Sequence, residues 1–167
     1  ERVSERVATS CEEILTESNQ CVSNIEHTAE SGVIDMSTGT ELEHIMTKLS
    51  QAALDYAQSI GVPIVVSIVD ANGILMYFQR MSDALLISND IAQAKAYTAV
   101  ALKSATHEIH PSAQPDGDLF NIESMVNRKI CTFGGGYPIM INGKMIGGLG
   151  ISGGTVAQDM DIASHAL

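Results

Sequence analysis

The chain offers five histidines, three cysteines and a set of closely spaced glycines as its chemically distinctive residues. His44 is the most telling of the imidazoles. It follows Leu42 by two positions in a stretch of helical period, so at about 100° per residue it points almost opposite the apolar stripe of Leu42, Ile45, Met46 and Leu49. It cannot fill the core of its own helix, which leaves solvent or a ligand as its environment. His107 and His110 stand three apart, a spacing that lets two imidazoles reach one metal ion from a single helical turn. No third ligand follows at a recognisable spacing, and His107 is equally suited to the negative end of a helix dipole. His27 and His165 read as solvated.

The glycines invite a different chemistry. Gly134, Gly135 and Gly136, then Gly147, Gly148 and Gly150, let backbone N–H groups approach an anion. Neither phosphate-loop pattern is present, since no lysine closes a GxxxxGK[ST] string and no GxGxxG opens a helix after a strand. The expectation is therefore that these glycines serve turns and close helix packing. Ser152, Gly153 and Gly154, ahead of the last helix, remain as a candidate anion-binding segment. Ser88, Ser152 and Cys131 have no base beside them in sequence, and Asp70 and Asp83 are explained as turn residues capping their own backbone.

Several elements must position these groups. Thr40 and Glu43 form a capping box that opens a helix, which carries Leu42, Ile45, Met46, Leu49, Ala53, Ala57 and Ile60 until Gly61 and Pro63 stop it. Residues 62–69 are a β-branched run, Asp70-Ala71-Asn72-Gly73 is a turn and 74–80 return as a strand. The alanine-rich stretch 88–106 predicts a helix able to lie close to a sheet. Pro111, Pro115 and Gly117 break regular structure in a mobile or ligand-facing loop, and 120–125 predict one or two helical turns. Residues 130–133, 138–141 and 144–151 predict three more strands, the last two joined by Asn142-Gly143. Thr155 and Gln158 form a second capping box. The expected fold class is α/β (α+β): a five-stranded, largely antiparallel sheet with flanking helices over residues 40–167, preceded by a short helix and linker in 1–39.

Composition narrows the partners. Nine Lys and Arg against twenty Asp and Glu give a net charge of −11, which repels nucleic acid and anionic membranes. Charged residues make up only 17% of the chain, against roughly 25% in typical soluble domains, so a homo-oligomer is expected to cover part of the apolar surface. No apolar run approaches a membrane span, and the cysteines Cys11, Cys21 and Cys131 show no paired spacing, which fits a reducing cytoplasmic compartment. Beginning at Glu1, the chain reads as a piece of a longer protein.

Four strings bring a family into view. Val66-Ser67-Ile68-Val69-Asp70-Ala71-Asn72-Gly73, Arg80-Met81-Ser82-Asp83-Ala84, Ala94-Lys95-Ala96-Tyr97-Thr98-Ala99 and Gly147-Gly148-Leu149-Gly150-Ile151-Ser152-Gly153-Gly154 resemble the GlcG/HbpS family, the haem-binding or haem-degrading domain. Phe133-Gly134-Gly135-Gly136-Tyr137 and Gln158-Asp159-Met160-Asp161-Ile162-Ala163 resemble, within it, the C-terminal domain of PduO-type corrinoid adenosyltransferases. The resemblance spans 40–167 and includes none of the adenosyltransferase catalytic domain, whose trailing segment Arg2-Val3-Ser4-Glu5-Arg6 faintly resembles.

The resemblance implies a profilin-like fold, homo-oligomeric assembly, haem as cofactor and a setting of cobalamin-dependent 1,2-propanediol use, often in bacterial microcompartments. It gives this domain a non-catalytic role beside an adenosyltransferase domain. A porphyrin iron needs an axial imidazole or sulfur ligand, and its propionates need cations. His44 is then the expected iron ligand, with haem held between subunits so that a second protomer covers its other face. Arg80 is the expected propionate partner and Met81 an alternative sulfur ligand, set against plainer roles as an Asp83 partner and a core side chain. The competing expectations are an assembly module without a required cofactor, and an enzyme acting on haem or a small metabolite.

Overall fold

The computed structural model describes residues 38–167 except Arg128. The expectations for the helix and linker of residues 1–37, His27, Cys11 and Cys21 lie outside the described residues.

Helix α1 (Thr38–Ser59) begins two residues before the expected capping box and ends where glycine ends it, since Gly61 adopts φ +68°. Strands β1 (Val65–Asp70) and β2 (Leu75–Arg80) form the first hairpin. Helix α2 (Ser88–Ala101) follows, then the single-turn helix α3 (Thr106–Ile109), a 3₁₀ turn at His110–Ala113 and the short α4 (Ile122–Met125). Strands β3 (Gly136–Ile141) and β4 (Lys144–Ser152) make the second hairpin, and α5 (Val156–Ala166) closes the domain.

The sheet is antiparallel with order β2-β1-β4-β3, so the two hairpins meet through their inner strands β1 and β4. Alternation in β1 sends Val66 and Ile68 into the larger core with Leu42, Ala53, Ile162 and Ala163 of α1 and α5. Val65 and Val69 face the other way, against Ala92, Ala96 and Val100 of α2. Helices thus cover both faces of a sheet whose β1 is buried along nearly its whole length.

The α2 layer sits on glycine. A Cβ at Gly150 would come within 2.0 Å of the Ala92 carbonyl oxygen, and one at Gly148 within 2.4 Å of that of Ala96. The alanines of α2 and the glycines of β4 let helix backbone touch strand backbone, the packing role expected of these glycines. The Asn142-Gly143 turn takes φ +50° and +77°, the left-handed pair that a two-residue hairpin turn requires.

Two expectations are corrected. Among the described residues the sheet has four strands, not five, because residues 130–133 form no strand: the Cys131 N–H donates to Thr98 Oγ1 of α2 at 2.9 Å instead of to a neighbouring strand. The alanine helix ends at Ala101, short of 106, where Lys103 enters the left-handed region at φ +53°. Glu108 then holds the start of α3. Its carboxylate accepts from Ser104 Oγ at 2.5 Å and from the Ala105 N–H at 3.1 Å, one half of a capping box whose other half alanine cannot supply.

Candidate functional site

The candidate residues fall into two groups at opposite ends of the sheet. At one end, α1 starts beside the β3–β4 hairpin: Leu42 is fully buried, with its methyl groups against Gly147, which pairs with Asp70 of β1 and Ile139 of β3. His44 lies here, exposed on the outer face of α1, while Ile45, Met46 and Leu49 turn towards the core. Lys48, also exposed, follows one turn later on the same face.

At the other end, Val65 pairs with both Arg80 and Ser152, which places those two residues on either side of β1. The Arg80 guanidinium donates to the Ala84 carbonyl, not to Asp83. Met81 turns inward: its sulfur accepts the Ile64 N–H at 3.3 Å and its side chain packs on the main core. Ser152 is buried, and Gly153 abuts the Pro63 carbonyl.

The backbone donors ahead of α5 are already engaged. The Gly154 N–H donates to Asp159 Oδ1 at 2.9 Å, the Thr155 N–H donates to Gln158 Oε1 at 2.9 Å, and the Gln158 N–H donates to Thr155 Oγ1 at 3.3 Å. The chain's own carboxylate thus occupies the position an external anion takes at a helix N-terminus.

That carboxylate belongs to a buried ion pair that is not among the sequence expectations. Lys95 of α2, fully buried, donates from Nζ to Asp159 Oδ2 at 2.7 Å and to the Ile151 carbonyl at 2.8 Å, with the Phe133 ring 5.0 Å away. Burial pushes the Asp159 carboxyl above its usual range, while Lys95 and the Gly154 and Gly153 N–H groups pull it back. A signal was present: Lys95 is the lone charge in the alanine-rich stretch 91–101. Its partner, 64 residues on, has no local mark.

The remaining histidines are dispersed. His107 is half-buried with its ring 5.6 Å from that of Tyr137, and its buried Nδ1 has no hydrogen-bond partner. His110 is exposed beside Gln114. His165, exposed as expected, stacks on Tyr56 at 4.2 Å. Among the described residues, no group of three or more His, Cys, Asp or Glu side chains is arranged to hold a metal ion, and no helix is long and apolar enough to cross a membrane. Cys131 is buried, and that burial pushes its thiol up to about 11.

An antiparallel sheet between helical layers, with an exposed histidine on α1, defines a small α+β domain. Comparison with known proteins makes this specific: residues 43–167 match the family described as haem degrading protein HbpS-like, and the chain belongs to that family.

The corrinoid adenosyltransferase PduO of Salmonella typhimurium is 52% identical over 124 residues, 74% of this chain and 37% of that protein. Its Citrobacter freundii counterpart is 52% identical over 120 residues, 72% of this chain and 36% of that protein. The chain therefore spans little more than a third of these two relatives. Among solved structures, a PduOC:heme complex is similar with TM-score 0.72 and 53% identity, covering 74% of this chain and 89% of that one. A double mutant of Streptomyces reticuli HbpS is similar with TM-score 0.67 and 26% identity, covering 74% of this chain and 82% of the other.

The donor chemistry on the outer face of α1 fits an iron porphyrin. His44, exposed there, would supply an imidazole to the iron, and Lys48, one turn along, would supply an ammonium to a propionate. Met81 fits less well, because its sulfur is committed to the Ile64 N–H inside the domain.

Proposed function

We propose that this domain binds haem through His44, as a non-catalytic accessory domain of a corrinoid adenosyltransferase-type protein. The observation that carries the reading is the 53% identity, over 89% of its chain, to a protein solved as a PduOC:heme complex. The exposed position of His44 supports it, since a ligand at that face needs no rearrangement of the core. The 52% identity to two PduO adenosyltransferases supports the link to cobalamin-dependent 1,2-propanediol use. On this reading the domain works in the bacterial cytoplasm beside an adenosyltransferase domain, with microcompartment proteins as neighbours.

An exposed imidazole holds haem firmly only when the second face of the porphyrin is covered, so the proposal includes a second protomer presenting its own His44. Haem titration of the full chain tests this. The parent protein should develop a Soret band, and His44→Ala should lose the six-coordinate spectrum. Retention of that spectrum by His44→Ala overturns His44 as ligand, and a flat titration of the parent overturns haem binding.

A second reading, self-assembly without a required cofactor, is favoured by Leu85, Leu86 and Ile87, which are 64%, 80% and 61% exposed in succession. Light scattering on haem-free parent and His44→Ala discriminates the two. Equal oligomer mass in both supports the assembly module.

A further inference from the structure

Helix α2 carries a second candidate site on the layer opposite α1 and His44. Asp90, Gln93, Ala94 and Tyr97 recur at the spacing that aligns side chains along one helix face, and they line a groove of about 470 Å³ with Leu75 and Lys129. That volume lies within the range of small-molecule sites.

Val69, only 3% exposed, gives the groove an apolar floor, while Leu75 stands 47% exposed at its rim. The Tyr97 ring is seated against the β1–β2 turn: Gly73 takes φ +78°, and a Cβ there would come within 2.9 Å of the ring. The Asp70 carboxylate fixes that turn by accepting the Asn72 and Ile74 N–H groups at 2.8 and 2.9 Å. Over the ring stands the Lys129 ammonium, 5.7 Å from its centroid.

The charges have an order along the groove. Lys129 is at the Tyr97 end, and Asp90 lies seven residues earlier on α2, roughly 10 Å along the helix axis. A ligand that satisfies both must be elongated, anionic at one end and a hydrogen-bond donor at the other, with an apolar body between. Lys129 is the one cation among the described residues that line the groove, which suits a monoanion. A dianion would bring its second charge towards Asp90, which disfavours dicarboxylates and the two propionates of haem.

We propose that this groove binds an elongated amphipathic monocarboxylate, its anion at Lys129 against Tyr97, its body over Ala94 and Leu75, and a donor at its far end on Asp90. The proposal stands apart from the haem reading, because it uses neither His44 nor any residue of α1.

Calorimetric titration of the full chain with ω-aminooctanoate, octanoate, octylamine and suberate tests it, with amide NMR shifts near Gly73 and Ala94 reporting the location. ω-Aminooctanoate should bind tightest, octanoate about tenfold more weakly, and octylamine and suberate more weakly still. Lys129→Met should abolish binding of both favoured probes. Asp90→Asn should bring ω-aminooctanoate down to the level of octanoate and leave octanoate at least as tight. Both side chains are exposed, so neither substitution threatens the fold. Equal binding of octanoate and octylamine, undiminished binding by Lys129→Met, or no binding by any probe overturns the proposal.

Discussion

The Lys95 ammonium and the Asp159 carboxylate meet at 2.7 Å, although α2 and α5, which carry them, pack in different layers of the domain. The contact ties the two layers together around the glycine-rich approach to β3, where Gly135 leaves no room for a side chain beside Lys95 Nζ.

Removing one partner leaves the other charge buried and unpaired. Lys95→Met is expected to destabilise the domain by about 3–5 kcal/mol, and the double variant Lys95→Met with Asp159→Leu by clearly less. Urea denaturation monitored by circular dichroism measures both. A double variant as unstable as the sum of the single ones would show that the two groups do not act as a pair.

Met81 and His44 should separate under substitution. Met81→Leu keeps the apolar volume and loses the sulfur that accepts the Ile64 N–H, so stability should drop by about 1 kcal/mol. The haem spectrum should be unchanged. A spectrum altered by Met81→Leu while His44→Ala leaves it intact would reverse the assignment of the ligand.

Glycine substitutions should divide by position. Gly150→Ala drives a methyl group to within 2.0 Å of the Ala92 carbonyl oxygen and is expected to cost about 3 kcal/mol or more through displacement of α2. Gly143→Ala meets nothing within 4 Å and pays only for its φ of +77°, roughly 1–2 kcal/mol. Thermal melts of the two variants compare them directly.

Cys131 should be inert in the folded protein. Burial pushes its thiol up to about 11, so iodoacetamide at pH 8 should leave it unmodified until the chain is unfolded. Peptide mass spectrometry distinguishes it from Cys11 and Cys21. Rapid native labelling of Cys131 would show that the 130–133 segment opens.

Glu108 gives a pH dependence of known sign. Hydrogen bonds from Ser104 and the Ala105 N–H hold its carboxyl below the ordinary 4.5. The stabilisation is fully present above that value and is lost as the pH falls through the lower, folded value. The stability difference between the parent and Glu108→Gln should shrink over that acid window.

What was legible in the sequence was mostly local. Asn142-Gly143 and Asp70 with Gly73 mark both hairpin turns, and Thr155 with Gln158 marks the start of α5, because each signal lies within four residues of its structural effect. Residues 130–133 misled for the opposite reason: they have strand composition, but Thr98 Oγ1 takes the Cys131 N–H that a neighbouring strand would need. The outward position of His44 followed from helical period alone. The Lys95–Asp159 pair and the Lys129–Tyr97 contact join residues 64 and 32 positions apart, and only the folded chain brings them together.

Residues 110–127 contain no buried side chain, yet they connect the half of the domain holding α1, β1, β2 and α2 to the half holding β3, β4 and α5. The seam between the halves is the β1–β4 ladder, reinforced by the seating of α2 on Gly148 and Gly150. The covalent link is therefore peripheral to the packing. A chain nicked in this stretch should remain one particle, and the two halves produced as separate polypeptides should recombine, which makes the domain a natural split protein.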